Sequence, residues 1–495
     1  ILMTFKYDNV NLMDFQRIDE LHDIGYNRTI SMMDSIKSRI HRRVNLDNIR
    51  LRRMVYRSNF PELRFKNIII DGANPQQQAY MKKEFHKSDN KEFTYEDLKQ
   101  GYFRLLSDKM ISEIIPHAIY NPEDDTYDLH LKVKLENNFA VRLGGNISTS
   151  NSNQIYLGLS YQDLNYYAKE FILDGQLGKV YNNVQFMAKI DFATAIPTSY
   201  RLIGSISTFD YFKKDKLFSR NNKPAFNQKD ERFLKLQVGL PFLSSKRAEF
   251  GVGIARIEDK YFQKSVIDFG NDKFDKSRYD LFGGSISFNG STLNSKQYPT
   301  RGYREALVAQ IFVGKERFYP GEGSTTSNNK DHHSWLQLSY MKEKYHNMSE
   351  HWVLGWYLKA LYASKNFSEN YTATMMQAGE FSPTLHSKLT YNEAFRANQF
   401  VGAGIRPIYR LSQMFHLRGE FYGFMPIYPI EKNSLNKAYY GKAFSKFEYL
   451  GEISVVCQLP FGDISAYVNH YSSPKKEWNV GLTLGWQLFN YRFIE

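Results

Sequence analysis

The sequence has one cysteine in 495 residues and no long apolar run. A single thiol, Cys457, cannot form an internal disulfide or a multi-cysteine zinc or iron–sulfur site. A membrane-spanning helix needs about 20 consecutive apolar residues. No segment of the chain supplies them, so a helical membrane protein is excluded. Glycine and proline, at 31 and 15 residues, are too few for a collagen-like or low-complexity chain.

What the chain does contain is a combination of polarity and aromatic residues. Aromatics make up 16% of the chain, and 65 Lys+Arg against 52 Asp+Glu give a net charge of +13. Mean hydropathy is nevertheless −0.52. A transmembrane β-barrel has this composition, because only every second residue of its strands faces lipid.

Hydrophobicity alternates with a period of two from Phe139 onward. In the last candidate strand one face carries only large apolar residues, namely Trp478, Val480, Leu482, Leu484, Trp486 and Leu488. We count sixteen such segments, which begin near residues 139, 153, 168, 182, 198, 230, 246, 278, 302, 333, 350, 399, 413, 446, 462 and 476. An even number is what bacterial single-chain barrels require. Connections after even-numbered strands are mostly short and those after odd-numbered strands mostly long, which predicts periplasmic turns and outer loops respectively.

Residues 61–137 have a different pattern. A short apolar strand ends at Asp71-Gly72-Ala73, and two helices follow, with Thr94 and Asp97 as a capping box at the start of the second. Two strands joined by a turn at Pro122 complete the order β-α-α-β-β. This order resembles a polypeptide-transport-associated (POTRA) domain, a periplasmic module that usually precedes an outer-membrane barrel.

Residues 1–60 are predicted to be helical and basic. Thr29 is the predicted N-cap of a helix that continues through Ile40. The basic run from Arg42-Arg43 to Arg57 is interpreted as a solvated helix face, because a nucleic-acid site would need interleaved stacking aromatics. The chain opens at Ile1 without a recognisable signal peptide, so either such a peptide has been removed or further protein preceded this point.

Three stretches of the barrel segment resemble the BamA-like superfamily of sixteen-stranded outer-membrane barrels. Leu293-Asn-Ser-Lys-Gln-Tyr-Pro-Thr-Arg-Gly302 resembles the family's periplasmic turn between strands eight and nine. Leu459-Pro-Phe-Gly462 resembles its S-P-x-G-P element, with Asp463 in place of the final proline. Phe395-Arg396-Ala397-Asn398 lies where the family carries V-R-G-F on a loop folded into the lumen, although only the arginine matches.

Alternation supplies candidate partners for Arg396. On the thirteenth and fourteenth strands, the outward apolar residues leave Glu420 and Glu452 facing the lumen. Pairing of Arg396 with Glu420 or Glu452 would be charge-assisted and would hold the long loop inside the barrel. The alternative is an arginine on the lumen wall without a special partner.

The N-terminal stretch Phe15-Gln-Arg-Ile-Asp-Glu-Leu-His-Asp-Ile-Gly-Tyr26 is similar to the end of the catalytic domain of patatin-like phospholipases. A bacterial branch of these enzymes, found in Bacteroidetes, joins a patatin domain to one POTRA domain and a BamA-like barrel. The family uses a Ser–Asp dyad with the serine on a G-x-S-x-G elbow, and no such elbow occurs in this sequence. Asp71-Gly72-Ala73 matches the D-G-[GA] motif that carries the family's catalytic aspartate. In the family that motif precedes the last helices of the domain, whereas here it follows them, so it is interpreted as a glycine turn. His332-His333, placed in an outer loop, has no third metal ligand.

The predicted fold class is an all-β transmembrane barrel with a small N-terminal α+β domain and a short helical segment. Residues 1–60 would be the helical tail of a patatin-like domain, residues 61–137 a periplasmic POTRA domain, and residues 138–495 the barrel. No catalytic, cofactor-binding or metal-binding residue is predicted. The expected function is to anchor a patatin-like phospholipase whose full-length form hydrolyses lipid acyl esters. A BamA-like assembly or translocation factor, opening between its first and last strands, is the alternative, and a passive porin is the third.

The resemblance implies a location in the bacterial outer membrane, with the N-terminal part in the periplasm. The expected partners are outer-membrane lipids and lipopolysaccharide, phospholipid as the substrate of the longer protein, and a second copy or another outer-membrane protein. Nucleic acid is not expected. One outer loop contains lysines that suit an anionic lipid surface or serve as plain solubilising charge, namely Lys213, Lys214, Lys216 and Lys223.

Overall fold

The computed structural model describes residues 18–40, 45–58, 62–85, 92–149, 153–193, 196–211, 227–243, 245–262, 273–322, 324, 327–473 and 478–495. Several residues singled out in the sequence lie outside these ranges: Phe15, Arg42, Arg43, Lys213, Lys214, Lys216 and Lys223.

Three helices come first: α1 (Ile18–Ser31), α2 (Met33–Ser38) and α3 (Leu46–Ser58), and none of them contains a buried residue. Thr29 lies inside α1, so its prediction as an N-cap is wrong. Its hydroxyl donates to the Gly25 carbonyl at 2.7 Å, a bond to residue i−4 that threonine can make within a helix. Among the described residues, no helix has both the length and the apolar character needed to cross a membrane.

A small mixed sheet with two helices follows. Its elements are β1 (Arg64–Asp71), α4 (Pro75–Phe85), β2 (Phe93–Thr94), α5 (Tyr95–Leu106), β3 (Ile111–Asn121) and β4 (Thr126–Leu135). The strand order is β2-β1-β4-β3, with β1 parallel to β4. The predicted capping box is present, because the Thr94 side chain accepts from the Asp97 backbone and the Asp97 side chain accepts in return. Gly72 has φ +90°, and a Cβ there would lie 2.1 Å from the Val133 carbonyl oxygen, which explains the glycine of Asp71-Gly72-Ala73 as a tight turn.

The rest of the chain forms a closed barrel of sixteen antiparallel strands, and this confirms the predicted fold class. Each strand begins within four residues of its predicted start. The barrel strands are β5 (Phe139–Ser148), β6 (Gln154–Leu164), β7 (Ala168–Gly178), β8 (Tyr181–Phe192), β9 (Thr198–Asp210), β10 (Asn227–Phe242), β11 (Lys246–Tyr261), β12 (Asp275–Ser291), β13 (Gly302–Tyr319), β14 (Asn329–Asn347), β15 (Trp352–Ala363), β18 (Gln399–Arg410), β19 (Phe415–Pro426), β22 (Glu448–Leu459), β23 (Gly462–Tyr471) and β24 (Trp478–Gly485).

Shorter strands lie in the long connections of the barrel. They are β16 (Gly379–Glu380), β17 (Arg396–Ala397), β20 (Ile430–Lys432) and β21 (Ala438–Tyr440). β16 pairs with β17 and β20 pairs with β21, both antiparallel. The connection between β15 and β18 also contains α6 (Tyr371–Gln377).

The small sheet domain packs against one end of the barrel. Leu164 and Ala168, which flank the turn between β6 and β7, belong to the same buried cluster as Met110 of the small domain. Lys109 adds an ion pair to Glu170 of β7 at 3.1 Å. The short turn after β6 is therefore on the same side of the barrel as the small domain, which is the arrangement that loop lengths predicted.

Two carboxyls of the small domain make its stability depend on pH. Burial raises the pKa of both Asp108 and Glu84, so the folded domain holds their protons to a higher pH than the unfolded chain does. We therefore expect the free energy of unfolding of this domain to fall as pH rises from the ordinary carboxyl range through the raised values. Asp108→Asn should flatten this decrease and stabilise the domain at pH 7.5.

Hydrogen exchange of the backbone amides of residues 62–135, compared at pH 5 and pH 7.5, measures this effect. Glu123→Gln, at an exposed position in the turn between β3 and β4, is the matched control and should leave the pH dependence as it is. Identical pH dependence in the native chain and in Asp108→Asn would contradict the prediction.

Candidate functional site: the barrel lumen and its seam

The long connection between β15 and β18, residues 364–398, folds into the barrel lumen. Phe381 and Phe395 of this loop are 2% and 3% exposed, and they share one buried cluster with Phe400 and Phe424 of the wall. Asn370 caps α6 by accepting from the Ala373 backbone at 2.9 Å. The loop is thus a folded part of the interior, as the BamA-like resemblance implied.

Arg396 organises this lumen loop from within. Its Nη1 donates to the carbonyls of Met376 and Ala378, both at 3.3 Å, at the C-terminal end of α6. Its Nη2 donates to Glu380 at 2.9 Å, and its guanidinium lies 4.7 Å from the ring centre of Tyr391. A cation at this helix end satisfies carbonyls that have no partner within the helix.

The predicted pairing of Arg396 with Glu420 or Glu452 is not what the structure shows. The carboxylate that Arg396 binds belongs to Glu380, sixteen residues earlier on the same loop. Alternation fixes which face of a strand a residue occupies, but it carries no information on where a non-repeating loop places its own charges. Arg396 therefore stabilises the shape of the loop rather than its attachment to β19 or β22.

Glu452 does attach the loop, through a different residue. Its Oε1 lies 2.9 Å from Nδ1 of His386, which is 7% exposed, and Asn469 donates to its Oε2 at 3.4 Å. The His386 ring stacks on Tyr467 with 3.5 Å between ring centres. His386 was not predicted, because a lone histidine in an aperiodic loop carries no pattern.

A buried cluster of two arginines, on the neighbouring strands β18 and β19, and their carboxylates also holds the loop. Arg406 of β18 pairs with Glu343 and donates to the carbonyl of Pro383 in the loop at 3.2 Å. Arg418 of β19 pairs with Glu420, the second predicted carboxylate. Arg406 shares the inward face of β18 with other buried residues, so alternation could have located it, although not its partner.

Arg418 also reaches the turn between β12 and β13, which contains the stretch similar to the family's periplasmic turn. Its Nη1 donates to the Pro299 carbonyl at 2.8 Å. Asn294 Oδ1 closes the turn by accepting from the backbones of Thr300 and Arg301 at 3.0 and 2.9 Å. The Tyr298 hydroxyl donates to Ser465 of β23 at 2.8 Å. This turn is therefore bound to β23, the strand that pairs with the last strand, β24.

The pair His332-His333 lies on β14 and not in an outer loop, which corrects its predicted place. His333 is 2% exposed, and its Nε2 lies 2.8 Å from Glu316 Oε2 on the neighbouring strand. Tyr279 donates to the other oxygen of Glu316 at 3.0 Å. Across the described ranges, no group of three or more His, Cys, Asp or Glu side chains is placed to hold a metal ion.

Among the residues that the structure describes, the seam between β24 and β5 has the fewest residue pairs of any junction of the barrel. Its three described pairs are Thr483–Ser148, Leu484–Ile147 and Gly485–Asn146, whereas each of the other fifteen junctions has at least eight. None of residues 139–144 of β5 has a partner on β24. One edge of β5 is therefore open along more than half of the strand.

The seam is short because the chain leaves the wall at Gly485, which has φ +108°. The sequence pattern predicted a strand that continues through Leu488. Instead, residues 486–495, which we call the lumen segment, cross the interior, where Phe493 is 2% exposed. The Trp486 backbone still donates to the Gly145 carbonyl at 2.7 Å, so the departure begins directly after this bond.

Comparison with known proteins identifies the fold. No protein-family model and no curated protein sequence matches the chain. Among solved structures, BamA from Haemophilus ducreyi lacking POTRA domains 1–3 aligns with a TM-score of 0.59 and 12% identity, over 86% of this chain and 84% of that one. CdiB from Acinetobacter baumannii aligns with a TM-score of 0.50 and 8% identity, over 86% of this chain and 74% of that one. The chain has the BamA/CdiB-like barrel fold.

The contacts of Arg396 predict how the closed lumen responds to mutation. Arg396→Ala removes the nearer of two cations beside Glu380, the other being Arg492 at 3.7 Å, and it removes a donor from the carbonyls at the end of α6. The cost should be below about 3–5 kcal/mol, the value typical of breaking an isolated buried ion pair. We expect the lumen loop to loosen and the channel to conduct more often than the native channel in planar lipid bilayers. Arg256→Ala, at an exposed position of β11, is the matched control and should conduct as the native protein does. Equal conductance of the native and Arg396→Ala channels would contradict the prediction.

Proposed function

We propose that this chain is an outer-membrane barrel that assembles or translocates polypeptides, and that it acts through the seam between β24 and β5. The observation that carries the proposal is the three-pair seam beside an open strand edge. The similarity of this barrel to BamA and CdiB also supports it.

Opening the seam would break few interactions. A backbone hydrogen bond contributes about 0.5–1.5 kcal/mol net, so a junction with three residue pairs is the least costly place to part this wall. The open edge of β5 presents unpaired backbone groups next to the outward side chains Val141 and Leu143, which are 54% and 76% exposed. An extended apolar segment that adds to this edge would satisfy those groups and remain in lipid.

The contents of the lumen argue against a passive pore. The lumen loop, the turn at Pro299 and the lumen segment all bind inward-facing side chains of the wall. A diffusion channel needs a continuous water path, and three separate chain segments lie across the interior of this barrel.

The location and the role of the small domain are part of the proposal. We place the barrel in the bacterial outer membrane, in contact with its lipids and lipopolysaccharide, and residues 61–137 in the periplasm as a POTRA domain. The order β2-β1-β4-β3 leaves β3 at one edge of the small sheet. That edge would bind a client strand by β-augmentation before the client reaches the seam.

The anchoring of a patatin-like phospholipase is the second candidate function, and the helices α1 to α3 favour it. Apolar side chains on these helices are exposed, including Ile18 at 56%, Tyr26 at 59%, Leu46 at 69% and Met54 at 65%. Such exposed apolar surface suits packing against a further domain. Phospholipid hydrolysis by the product of the whole gene, abolished by mutation of an upstream elbow serine, would support this function; absence of an elbow motif upstream would remove it.

A reversible lock across the seam tests the main proposal. Ile147 and Leu484 are directly paired, so Ile147→Cys with Leu484→Cys, in a Cys457→Ser background, should form a disulfide that holds β5 and β24 together. We expect oxidation to lower the rate at which the protein inserts a small reference barrel into proteoliposomes by at least about tenfold. This corresponds to an increase of about 1.4 kcal/mol in the activation free energy of insertion. Reduction of the disulfide should restore the activity.

The matched control places the same lock where the wall is already well paired. Leu234→Cys with Ile254→Cys joins β10 to β11 through another directly paired, outward-facing position, away from the seam. This lock should leave activity unchanged. If the seam lock and the control lock have the same effect, the seam is not the route and the proposal fails.

A further inference from the structure

We infer that the inner wall of the barrel carries a binding groove for an extended peptide, and that the lumen segment, residues 486–495, occupies it as an intramolecular ligand. The ligand class is an extended peptide with an aromatic residue followed two positions later by an acidic one. This inference goes beyond the proposed function and does not require the seam to open.

The wall binds the backbone of the lumen segment through side-chain amides. Gln154 of β6 makes two bonds to Leu488, accepting from its N–H and donating to its carbonyl, each at 3.3 Å. Gln185 of β8 accepts from the Tyr491 backbone at 3.3 Å. These amides take the place that a neighbouring strand would have, so they fix an extended backbone without depending on its side chains.

The same recognition continues on the far side of the lumen. Glu231 of β10 accepts from the Phe493 backbone at 2.7 Å. Gln310 of β13 donates to the Phe493 carbonyl at 3.1 Å and accepts from the Glu495 backbone at 3.0 Å. Gln337 of β14 donates to the Glu495 carbonyl at 2.6 Å. The backbone of the segment is thus held from five strands spread around the wall.

A pocket in the wall selects an aromatic side chain. The Phe493 ring lies 5.9 Å from Phe233 and 5.7 Å from Phe312, measured between ring centres. Gly253 and Gly283 form the floor, where an added Cβ would stand 3.0 and 3.1 Å from the ring. Glycine at both positions leaves room that a larger residue would fill, so the pocket is shaped for a ring.

Charges select the residues on both sides of this ring. Lys235 of β10, 5% exposed, lies 3.0 Å from the Glu495 carboxylate. The Arg492 guanidinium lies 4.8 Å from the ring centre of Phe209 and 3.7 Å from Glu380 of the lumen loop. The groove therefore distinguishes a peptide by an aromatic anchor and an acidic residue beyond it.

The groove belongs to the wall and not to the segment. Strands β6 to β14 pair continuously with one another, and none of these pairings uses residues 486–495. The segment can leave without loss of any barrel pair, and it would expose amides and a pocket that fit another peptide of the same kind.

Competition in trans tests the inference on the full chain. Phe493→Ala empties the aromatic pocket and should weaken the hold on the intramolecular ligand. A fluorescein-labelled peptide of sequence WQLFNYRFIE, followed by anisotropy with detergent-folded protein, should bind Phe493→Ala at least about tenfold more tightly than it binds the native chain. Glu495→Gln, which removes only the ion pair to Lys235, should shift binding in the same direction by less. Heat-modifiable mobility on SDS gels reports whether each variant is folded.

Variants of wall residues test whether the peptide binds in the groove or simply enters a more accessible lumen. In the Phe493→Ala background, Gln310→Ala should abolish the gain in peptide binding. Gln237→Ala is the matched control, because Gln237 is a buried lumen glutamine whose Oε1 has no hydrogen-bond partner. A peptide in which the phenylalanine corresponding to Phe493 is alanine should not bind. Equal binding to folded native and Phe493→Ala proteins, or binding to neither, would overturn the inference, whatever the seam locks show.

Discussion

The charges of the arginine cluster on β18 and β19 have almost no access to bulk water, and the interior on this side of the barrel is arranged around that constraint. Arg406 and Arg418 are 4% and 2% exposed, and Glu420 is 5% exposed. Leaving one such charge unpaired in a protein interior costs several kcal/mol. The arginines have more donors than their carboxylates accept. Some of the remaining donors bind the hydroxyls of Tyr345 and Tyr422, and others bind the carbonyls of Pro383 and Pro299. Charge satisfaction in the wall therefore requires both the lumen loop and the turn between β12 and β13.

As a result, some parts of the barrel wall are held by more interactions across the lumen than others. The turn that Arg418 holds is also bound by Ser465 of β23, and Gln458 of β22 donates to the Tyr298 carbonyl at 3.4 Å. Interactions across the lumen thus reinforce the wall up to the strand beside β24. The next two strands meet through three residue pairs. The weak junction therefore lies next to two strands, β22 and β23, that the turn at Pro299 links to the buried arginine cluster.

The sequence predicted the features that repeat and missed those that do not. Strand starts and the inward faces of Glu420 and Glu452 follow from alternation, which is a local property of every strand. The partners Glu380 and His386 lie on a loop without period, so no pattern connects them to Arg396 or Glu452. His333 was assigned to a loop because the polar residues before it break the apolar pattern. β14 has 19 residues, and at about 3.3 Å per residue it extends well beyond the lipid band, where outward residues need not be apolar.

The end of β24 shows a competition that alternation cannot resolve. Trp486 and Leu488 fit the outward face of a longer strand, but the same register would place Asn490 and Arg492 outward as well. That register would pair Arg492 with Phe139, the first residue of β5, where an outward arginine costs only about 0–1 kcal/mol, so lipid exposure alone does not decide where the residues after Leu488 lie. In the lumen, Arg492 has Glu380 and the Phe209 ring, and Phe493 has a pocket. Residues beyond Leu488 are therefore more stable in the interior, and because the chain is continuous, Trp486 and Leu488 leave the wall as well. The length of the seam thus depends on how these residues pack against the opposite wall of the barrel.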